Sequence, residues 1–222
     1  MALAQSPCAA ARAAGNGGVV PETLTVVDFW FDPACPWAWI TSRWLLEVEK
    51  VRPVTARWHV MSLTLLNKGR ELSEDYQKSM ERALGPVRVC VAAVKERGDE
   101  ILLPIYSALG RRYHDDGRGG QPEVLGEAIE ELGLPASLLE AAKSSEYDEA
   151  LEKSHREGID LVGEEVGTPV IRVGDAAIFG PVVSPIPRGE AAGVLFDGVM
   201  LVINTDGFFE LKRTRERRPA FT

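Results

Sequence analysis

Cys35 lies in a sequence context that favours nucleophilic sulfur chemistry. It follows an apolar run, residues 24–31, that stops at Asp32-Pro33, and it precedes apolar residues at helical spacing. A thiol at the start of a helix faces unpaired backbone N–H groups and the positive end of the helix dipole, and both favour the thiolate. We therefore predict that Cys35 is the reactive group, with a pKa below the usual value of about 8.5. The alternative is a small buried residue at a strand end, since free cysteine is among the most buried residue types.

The other cysteines and the histidines are weaker candidates for reactive or metal-binding groups. Cys90 occupies the apolar stripe of a helix, and Cys8 lies in an N-terminal segment rich in alanine and glycine. A structural role is favoured for His59 on its strand, and His114 and His155 are assigned no function. Three scattered cysteines and three scattered histidines have no metal-ligand spacing, so no metal site is predicted.

Three segments around Cys35 predict a βαβ unit. They are a strand over 24–31, a helix over 39–51 and a strand over 54–63. The connection is long enough for a right-handed crossover, which makes the two strands parallel.

A helical block separates this unit from a second set of strands. Helical spacing extends over about 68–165, where Gly85-Pro86 is expected to break or kink a helix. The order is typical of an α/β domain with one sheet and a helical insertion. The remaining predicted elements are strands at 170–173 and 176–179, which flank the hairpin turn Gly174-Asp175, and a helix over 188–200.

Composition narrows the class of partner. The chain has 222 residues, of which 45% are hydrophobic, so it can bury a core as one large domain. A net charge of -8 argues against nucleic acid or an anionic membrane surface as the main partner, and the basic residues 212–218 are interpreted as a solvated chain end. No apolar run approaches the roughly 20 residues that a membrane span needs.

The N-terminus predicts no targeting signal. Residues 1–18 lack a basic segment followed by a continuous apolar run, so they do not resemble a secretory signal. We expect residues 1–21 to be a disordered leader and 22–222 to be a single thioredoxin-like domain. An odd number of scattered cysteines predicts no disulfide framework, and therefore a cytoplasmic protein. No oligomeric state is predicted.

Several motifs together resemble a known family. A thiol at the first helix N-terminus of a βαβ…ββα chain resembles the thioredoxin fold, and the helical insertion resembles its DsbA-like branch. The chain is most similar to the mycothiol-dependent nitroreductase group of DsbA-like proteins. The motifs are Asp28-Phe29-Trp30-Phe31-Asp32-Pro33, Cys35-Pro36-Trp37, His59-Val60-Met61-Ser62-Leu63, Val166-Gly167-Thr168-Pro169 and Phe179-Gly180-Pro181-Val182.

The resemblance implies roles for further residues. Thr168-Pro169 would be a cis-proline loop facing Cys35-Pro36, with the backbone of Thr168 free to pair with an extended thiol ligand. The side chains of Trp37, Asn67 and Tyr76 would line the substrate pocket. The co-substrate would be a low-molecular-weight thiol, with mycothiol suspected, and no metal would be needed.

Position 38 departs from the family pattern. Dithiol members carry Cys-Pro-Trp-Cys, whereas this chain has Ala38, so Cys35 lacks a resolving partner at the usual spacing. Our hypothesis is a monothiol oxidoreductase. Cys35 would form a mixed disulfide with a small thiol, and a second thiol molecule would release it while nitro compounds, quinones or mixed disulfides are reduced.

Two alternatives remain open. Cys35-Pro36-Trp37-Ala38-Trp39 also resembles the Ser-Pro-x-Ala-aromatic pattern of kappa-class glutathione transferases and hydroxychromene-carboxylate isomerases, apart from its first residue. A thiol-dependent isomerase or transferase is therefore the first alternative. A non-catalytic thioredoxin-fold binding module is the second, and the retained thiol argues against it.

Overall fold

The computed structural model describes residues 24–222, so the predicted leader and Cys8 lie outside the described residues. Within them the chain forms a four-stranded sheet of β1 (Thr25–Phe31), β2 (Val54–Val60), β3 (Val170–Val173) and β4 (Ala176–Phe179). The strand order is β2-β1-β3-β4. β1 and β2 are parallel, as predicted, and β3 is antiparallel to both β1 and β4. Gly174, with a φ of 59°, forms the predicted hairpin turn.

Helices connect the two halves of the sheet and close the chain. The α-helices of the described residues are α1 (Pro36–Val48), α2 (Leu63–Leu66), α3 (Glu74–Arg97), α4 (Leu102–Gly110), α5 (Glu123–Glu131), α6 (Asp148–Ile159) and α7 (Glu190–Ile203). Short 3-10 and π turns link several of the inserted helices. The order βαβ, inserted helices, ββα is that of a DsbA-like thioredoxin fold, as the sequence predicted. None of the described helices is both long and apolar enough to cross a membrane.

Several element boundaries differ from the prediction, since α1 ends at Val48 rather than at residue 51 and α7 extends over Glu190–Ile203 rather than 188–200. Two further differences have local reasons. α1 begins at Pro36 rather than at residue 39, because proline has a helical φ and its missing N–H is harmless at the first helical position. β2 ends at Val60 rather than at residue 63, because the Ser62 hydroxyl accepts a hydrogen bond from Leu65 N and caps α2.

The predicted break at Gly85-Pro86 is wrong. α3 continues through both residues. Proline inside a helix removes one backbone hydrogen bond and crowds the preceding turn, at a cost of about 3 kcal/mol. Packing offsets this cost, since Pro86 is buried and a Cβ at position 85 would lie only 3.3 Å from the Ala142 Cβ.

The core contains most of the tryptophans, and it confirms the apolar helix position predicted for Cys90. Four tryptophans are buried, and Trp37 alone among the described tryptophans is partly exposed. Cys90 is fully buried in α3. Phe31 at the end of β1 stacks on Tyr106 of α4 with ring centroids 3.8 Å apart, which joins the sheet to the inserted helices.

A buried carboxylate ties three strands together. Asp28 on β1 is 4% exposed and accepts hydrogen bonds from Arg57, His59 and Arg172. Burial alone would raise the pKa of Asp28, but these hydrogen bonds outweigh it and hold the pKa well below its usual range. The structural role predicted for His59 agrees with this contact and with its stacking on Trp30 at 4.5 Å.

Candidate active site

Cys35 is the N-cap residue of α1 and faces the loop before β3. Its Sγ accepts a hydrogen bond from Ala38 N at 3.5 Å and donates one to Thr168 O, also at 3.5 Å. Cys35 N donates to Asp32 O at 3.0 Å, which closes the turn between β1 and α1. The side chain is only 6% exposed, so the thiol lies just beneath the surface of the site.

Burial decides the acidity of this thiol. The helix-start contact is present, since Ala38 N donates to Sγ, but desolvation is the larger effect and raises the pKa of Cys35 to about 12. The negative charge of Asp32 raises this pKa further, whereas the N–H of Ala38 and the charge of Arg215 oppose the rise. The predicted depressed pKa is therefore wrong for the closed site, because the sequence pattern reveals the helix start but not the depth of the thiol.

Asp32 is an active-site carboxyl whose role the sequence analysis missed. It is fully buried, and its two oxygens accept hydrogen bonds from Ala34 N at 2.9 Å and Leu63 N at 2.8 Å. Burial raises the pKa of Asp32 to about 6, and the two hydrogen bonds oppose this rise. The contact with Ala34 was foreseeable, since aspartate in a turn commonly bonds the backbone two residues on. The contact with Leu63 was not, because it joins the cysteine turn to the start of α2.

Thr168 and Pro169 form the wall opposite Cys35. Their peptide bond is cis, and Thr168 is 3% exposed. The Thr168 hydroxyl donates to Trp30 O at 3.3 Å, and Trp30 pairs with Val170 in the sheet. β1 and β3 therefore hold the thiol and the proline loop against each other.

The other predicted site residues lie at different distances from the thiol. Pro36 and Trp37 form the first turn of α1, beside Cys35. Tyr76, in the first turn of α3, is 41% exposed, and its pKa is raised by partial burial, by Cys35 and by Asp32, so it lies within electrostatic range of both. Asn67 is one step removed, since its amide donates to Leu63 O at 2.8 Å and thereby fixes the end of α2.

Arg215 belongs to the site, which the interpretation of residues 212–218 as a solvated chain end did not anticipate. Its guanidinium carbon lies 5.2 Å from the centroid of the Trp37 ring. His114 also gains a structural role, since its Nε2 donates to Pro33 O at 2.9 Å and supports the cysteine turn. Burial lowers the pKa of His114, which favours the neutral imidazole.

The arrangement suits sulfur chemistry by one thiol. Cys35 and Cys90 are free thiols. Ala38, fully buried one turn from Cys35, stands where a dithiol site would have its second sulfur. Within residues 24–222 no group of three or more histidines, cysteines or carboxylates could hold a metal ion.

Comparison with solved structures supports the fold. The probable DsbA oxidoreductase SCO1869 from Streptomyces coelicolor has a TM-score of 0.56 at 18% identity, covering 86% of this chain and 94% of that one. A 2-hydroxychromene-2-carboxylate isomerase has a TM-score of 0.52 at 15% identity, covering 79% of this chain and 94% of that one. Both similarities extend over most of each chain, as expected for one shared fold.

Sequence comparison identifies the family. The uncharacterized protein Rv2286c of Mycobacterium tuberculosis H37Rv is 26% identical over 193 residues, which are 86% of this chain and 83% of that protein. Residues 34–213 match the family described as Rv2466c-like, mycothiol-dependent nitroreductase Rv2466c. The matched range contains Cys35 and the Thr168-Pro169 loop and extends over most of the chain. The chain therefore belongs to the Rv2466c-like family of mycothiol-dependent nitroreductases.

Proposed function

We propose that this protein is a monothiol oxidoreductase in which Cys35 is the nucleophile and mycothiol is the small-thiol co-substrate. The observation that carries the proposal is Cys35 Sγ at the start of α1, 3.5 Å from Thr168 O, with Ala38 in place of a resolving thiol. Membership of a mycothiol-dependent family supports the choice of thiol. We infer a cytoplasmic location, since a single nucleophilic thiol needs a compartment that keeps it reduced.

The exchange cycle needs only one protein sulfur. The Cys35 thiolate attacks a disulfide, so that a bond forms from Sγ to one substrate sulfur while the substrate S–S bond breaks and the other sulfur leaves as a thiolate. A mycothiol thiolate then attacks the mixed disulfide at the substrate sulfur. This second step releases the Cys35 thiolate and leaves a disulfide between mycothiol and the substrate thiol.

Quinones and nitro compounds are reduced by the sulfur of Cys35 together with the sulfur of one mycothiol. Cys35 and one mycothiol together lose two electrons and two protons and become joined by a disulfide bond. The quinone gains both and becomes a hydroquinone, or a nitro group becomes a nitroso group and one water. A second mycothiol then displaces Cys35 and forms the disulfide of mycothiol.

The wall opposite Cys35 fits a bound thiol ligand. In the resting site the Cys35 thiol donates to Thr168 O, and ionisation removes that donor. The Thr168 carbonyl can then accept an N–H from an extended ligand, as a strand edge does. We assign Pro36, Trp37, Tyr76, Thr168 and Pro169 to ligand binding.

Asn67 is the remaining residue assigned to the pocket. Its amide is engaged with Leu63 O, and the N–H of Leu63 is held by Asp32. We therefore propose that Asn67 shapes the pocket by fixing α2, in addition to lining it.

The test is mass spectrometry of the protein incubated with the disulfide of mycothiol. We expect one mycothiol adduct on Cys35, and we expect added mycothiol to remove it. Reduction of a quinone should require both Cys35 and mycothiol. The Cys35→Ser variant should lose the adduct and the turnover, whereas Cys90→Ala should keep both because Cys90 is buried in the core. A wild-type protein that takes up no adduct and reduces no quinone would refute the proposal.

A thiol-dependent isomerase or transferase is the second candidate. Ala38 favours it, because the pattern Cys35-Pro36-Trp37-Ala38 resembles that class, and an isomerase shares the fold at a TM-score of 0.52. The Cys35→Ser variant separates the two, since a serine can replace the cysteine in that pattern but cannot form a disulfide. Isomerase or transferase activity that survives in Cys35→Ser would favour this second function.

A further inference from the structure

The C-terminal segment, residues 204–222, is fixed to the body of the protein beside the active site. The Ser184 hydroxyl accepts a hydrogen bond from Ala220 N at 3.0 Å and donates one to Arg218 O at 3.3 Å. The ring of Phe221 packs 5.7 Å from the ring of His114, which itself supports the cysteine turn. These contacts anchor the segment at residues 218–221, a few residues after Arg215, while α7 precedes the segment.

This path brings a cation to the mouth of the site. The guanidinium of Arg215 lies over the ring of Trp37, the second residue of α1, at 5.2 Å. Among the described residues no carboxylate forms an ion pair with Arg215. Its positive charge and its hydrogen-bond donors therefore face the site without an acidic partner from this part of the chain.

The other charged and titratable groups around the thiol do not supply this charge. Asp32 is a buried carboxyl whose negative charge opposes ionisation of Cys35, and Tyr76 is a neutral phenol at ordinary pH. Arg215 is the cation whose charge favours the Cys35 thiolate. The match to the family ends at residue 213, so the family comparison does not extend to Arg215.

We propose that Arg215, whose guanidinium lies over the Trp37 ring without an acidic partner from the described part of the chain, draws small-molecule ligands that carry a carboxylate or similar anionic group to the mouth of the site beside Trp37. The inference rests on the proposed function in one respect, since it takes Cys35 as the nucleophile. A guanidinium presents a planar fork that matches a carboxylate, and such charge-assisted hydrogen bonds are stronger than neutral ones. Arg215 thereby selects among electrophilic substrates that are otherwise alike.

Two alkylating reagents that differ in charge test this selection. Iodoacetate is an anion and iodoacetamide is neutral, and with each the Cys35 sulfur forms a bond to carbon while iodide leaves. The measured quantity is the ratio of the two rate constants for Cys35, at low ionic strength and in protein that carries Cys8→Ala and Cys90→Ala, so that Cys35 is the remaining thiol. The variants are Arg215→Gln, Arg215→Lys and, as a matched control on the same segment, the exposed Arg217→Gln.

We expect Arg215→Gln to lower the iodoacetate-to-iodoacetamide ratio by about threefold or more, since one unit charge near the sulfur is removed. Arg215→Lys should retain most of the ratio, and Arg217→Gln should resemble wild type. Added salt should reduce the difference between wild type and Arg215→Gln, because it screens exposed charges. Arg215→Gln should also slow the iodoacetamide reaction, since less of the thiol is ionised.

Failure of the inference is distinct from failure of the proposed function. A Cys35 that reacts readily but shows the same ratio in wild type, Arg215→Gln and Arg217→Gln would overturn the role of Arg215 alone. A Cys35 that reacts with neither reagent in wild type would overturn the nucleophile and the inference together. The anchors at Ser184 and Phe221 are unchanged in all variants, and circular dichroism would verify that each variant is folded.

Discussion

Asp32 gives a prediction in which a buried carboxyl makes stability depend on pH. Burial raises its pKa from the usual value of 3.8 to about 6 in the folded protein. Between these values the unfolded chain releases the proton while the folded chain keeps it. The folded state then binds more protons than the unfolded state, so the free energy of unfolding falls as the pH rises. This contribution to stability is complete below about pH 4 and is lost above about pH 6.

The size of the effect follows from the two pKa values. A tenfold change in proton affinity is worth about 1.4 kcal/mol, so the difference between 3.8 and about 6 corresponds to about 3 kcal/mol. Asp32→Asn removes the titration. It also weakens one of the two hydrogen bonds to Ala34 N and Leu63 N, because only one amide atom is an acceptor. The weakening of this hydrogen bond does not depend on pH. It therefore shifts the free energy of unfolding of the variant by the same amount at every pH.

The assay is urea unfolding of wild type and Asp32→Asn at several pH values from about 4 to about 7. The free energy of unfolding of wild type minus that of the variant should fall by about 3 kcal/mol across this range. The partly buried His114 and the buried His155 also have lowered pKa values in the folded state, but both are present in wild type and variant, so their effects cancel. Asp175→Asn, in the exposed hairpin turn, is the matched control and should give a much flatter difference. A difference for Asp32→Asn that is constant, or that grows with pH, would refute the reasoning.

Further predictions test the monothiol site, the strand cluster and the helix contacts. Ala38→Cys places a second thiol one turn from Cys35, so we expect an internal disulfide and loss of the mycothiol adduct by mass spectrometry; a persistent adduct would contradict this. Asp28→Asn should lower the free energy of unfolding by about 2 kcal/mol or more in urea, because the side chains of Arg57, His59 and Arg172 lose their anionic acceptor. Gly110→Ala should lower the melting temperature, since its Cβ would lie 2.2 Å from the Trp39 ring, whereas Gly198→Ala in α7 meets no atom and should raise it. Equal melting temperatures for the two alanine variants would contradict the packing argument.

The βαβ unit and the order of the elements along the chain were predictable because their causes are local. The apolar run of β1, the turn at Asp32-Pro33 and the helical spacing after Pro36 each depend on neighbouring residues, and these fix the βαβ unit. The continuity of α3 through Pro86 was not predictable. It depends on packing against Ala142, a contact between residues distant in sequence, and no local pattern reports such a contact.

The candidate site was predictable only in part, for the same reason. Cys35 and the Thr168-Pro169 loop are recognisable as motifs, whereas Arg215, whose guanidinium lies over Trp37, is far from Cys35 in sequence. A basic run such as 212–218 is usually solvated, so nothing within it distinguishes the one arginine that lies over Trp37. The acidity of Cys35 was mispredicted because a helix start is visible in sequence, while the depth of a side chain is decided by the whole fold.

The high pKa of Cys35 and its proposed role as a nucleophile are compatible if ionisation and ligand binding are linked. In the resting site the thiol is 6% exposed and donates to Thr168 O, a contact that exists only while the sulfur carries its proton. A ligand that donates its own N–H to Thr168 O competes with that contact and therefore favours the thiolate. By linkage, the thiolate must favour the same ligand by the same factor. In the proposed mechanism, burial of the protonated thiol would protect the sulfur from indiscriminate oxidation, and the ligand that pairs with Thr168 O would be the one that activates it.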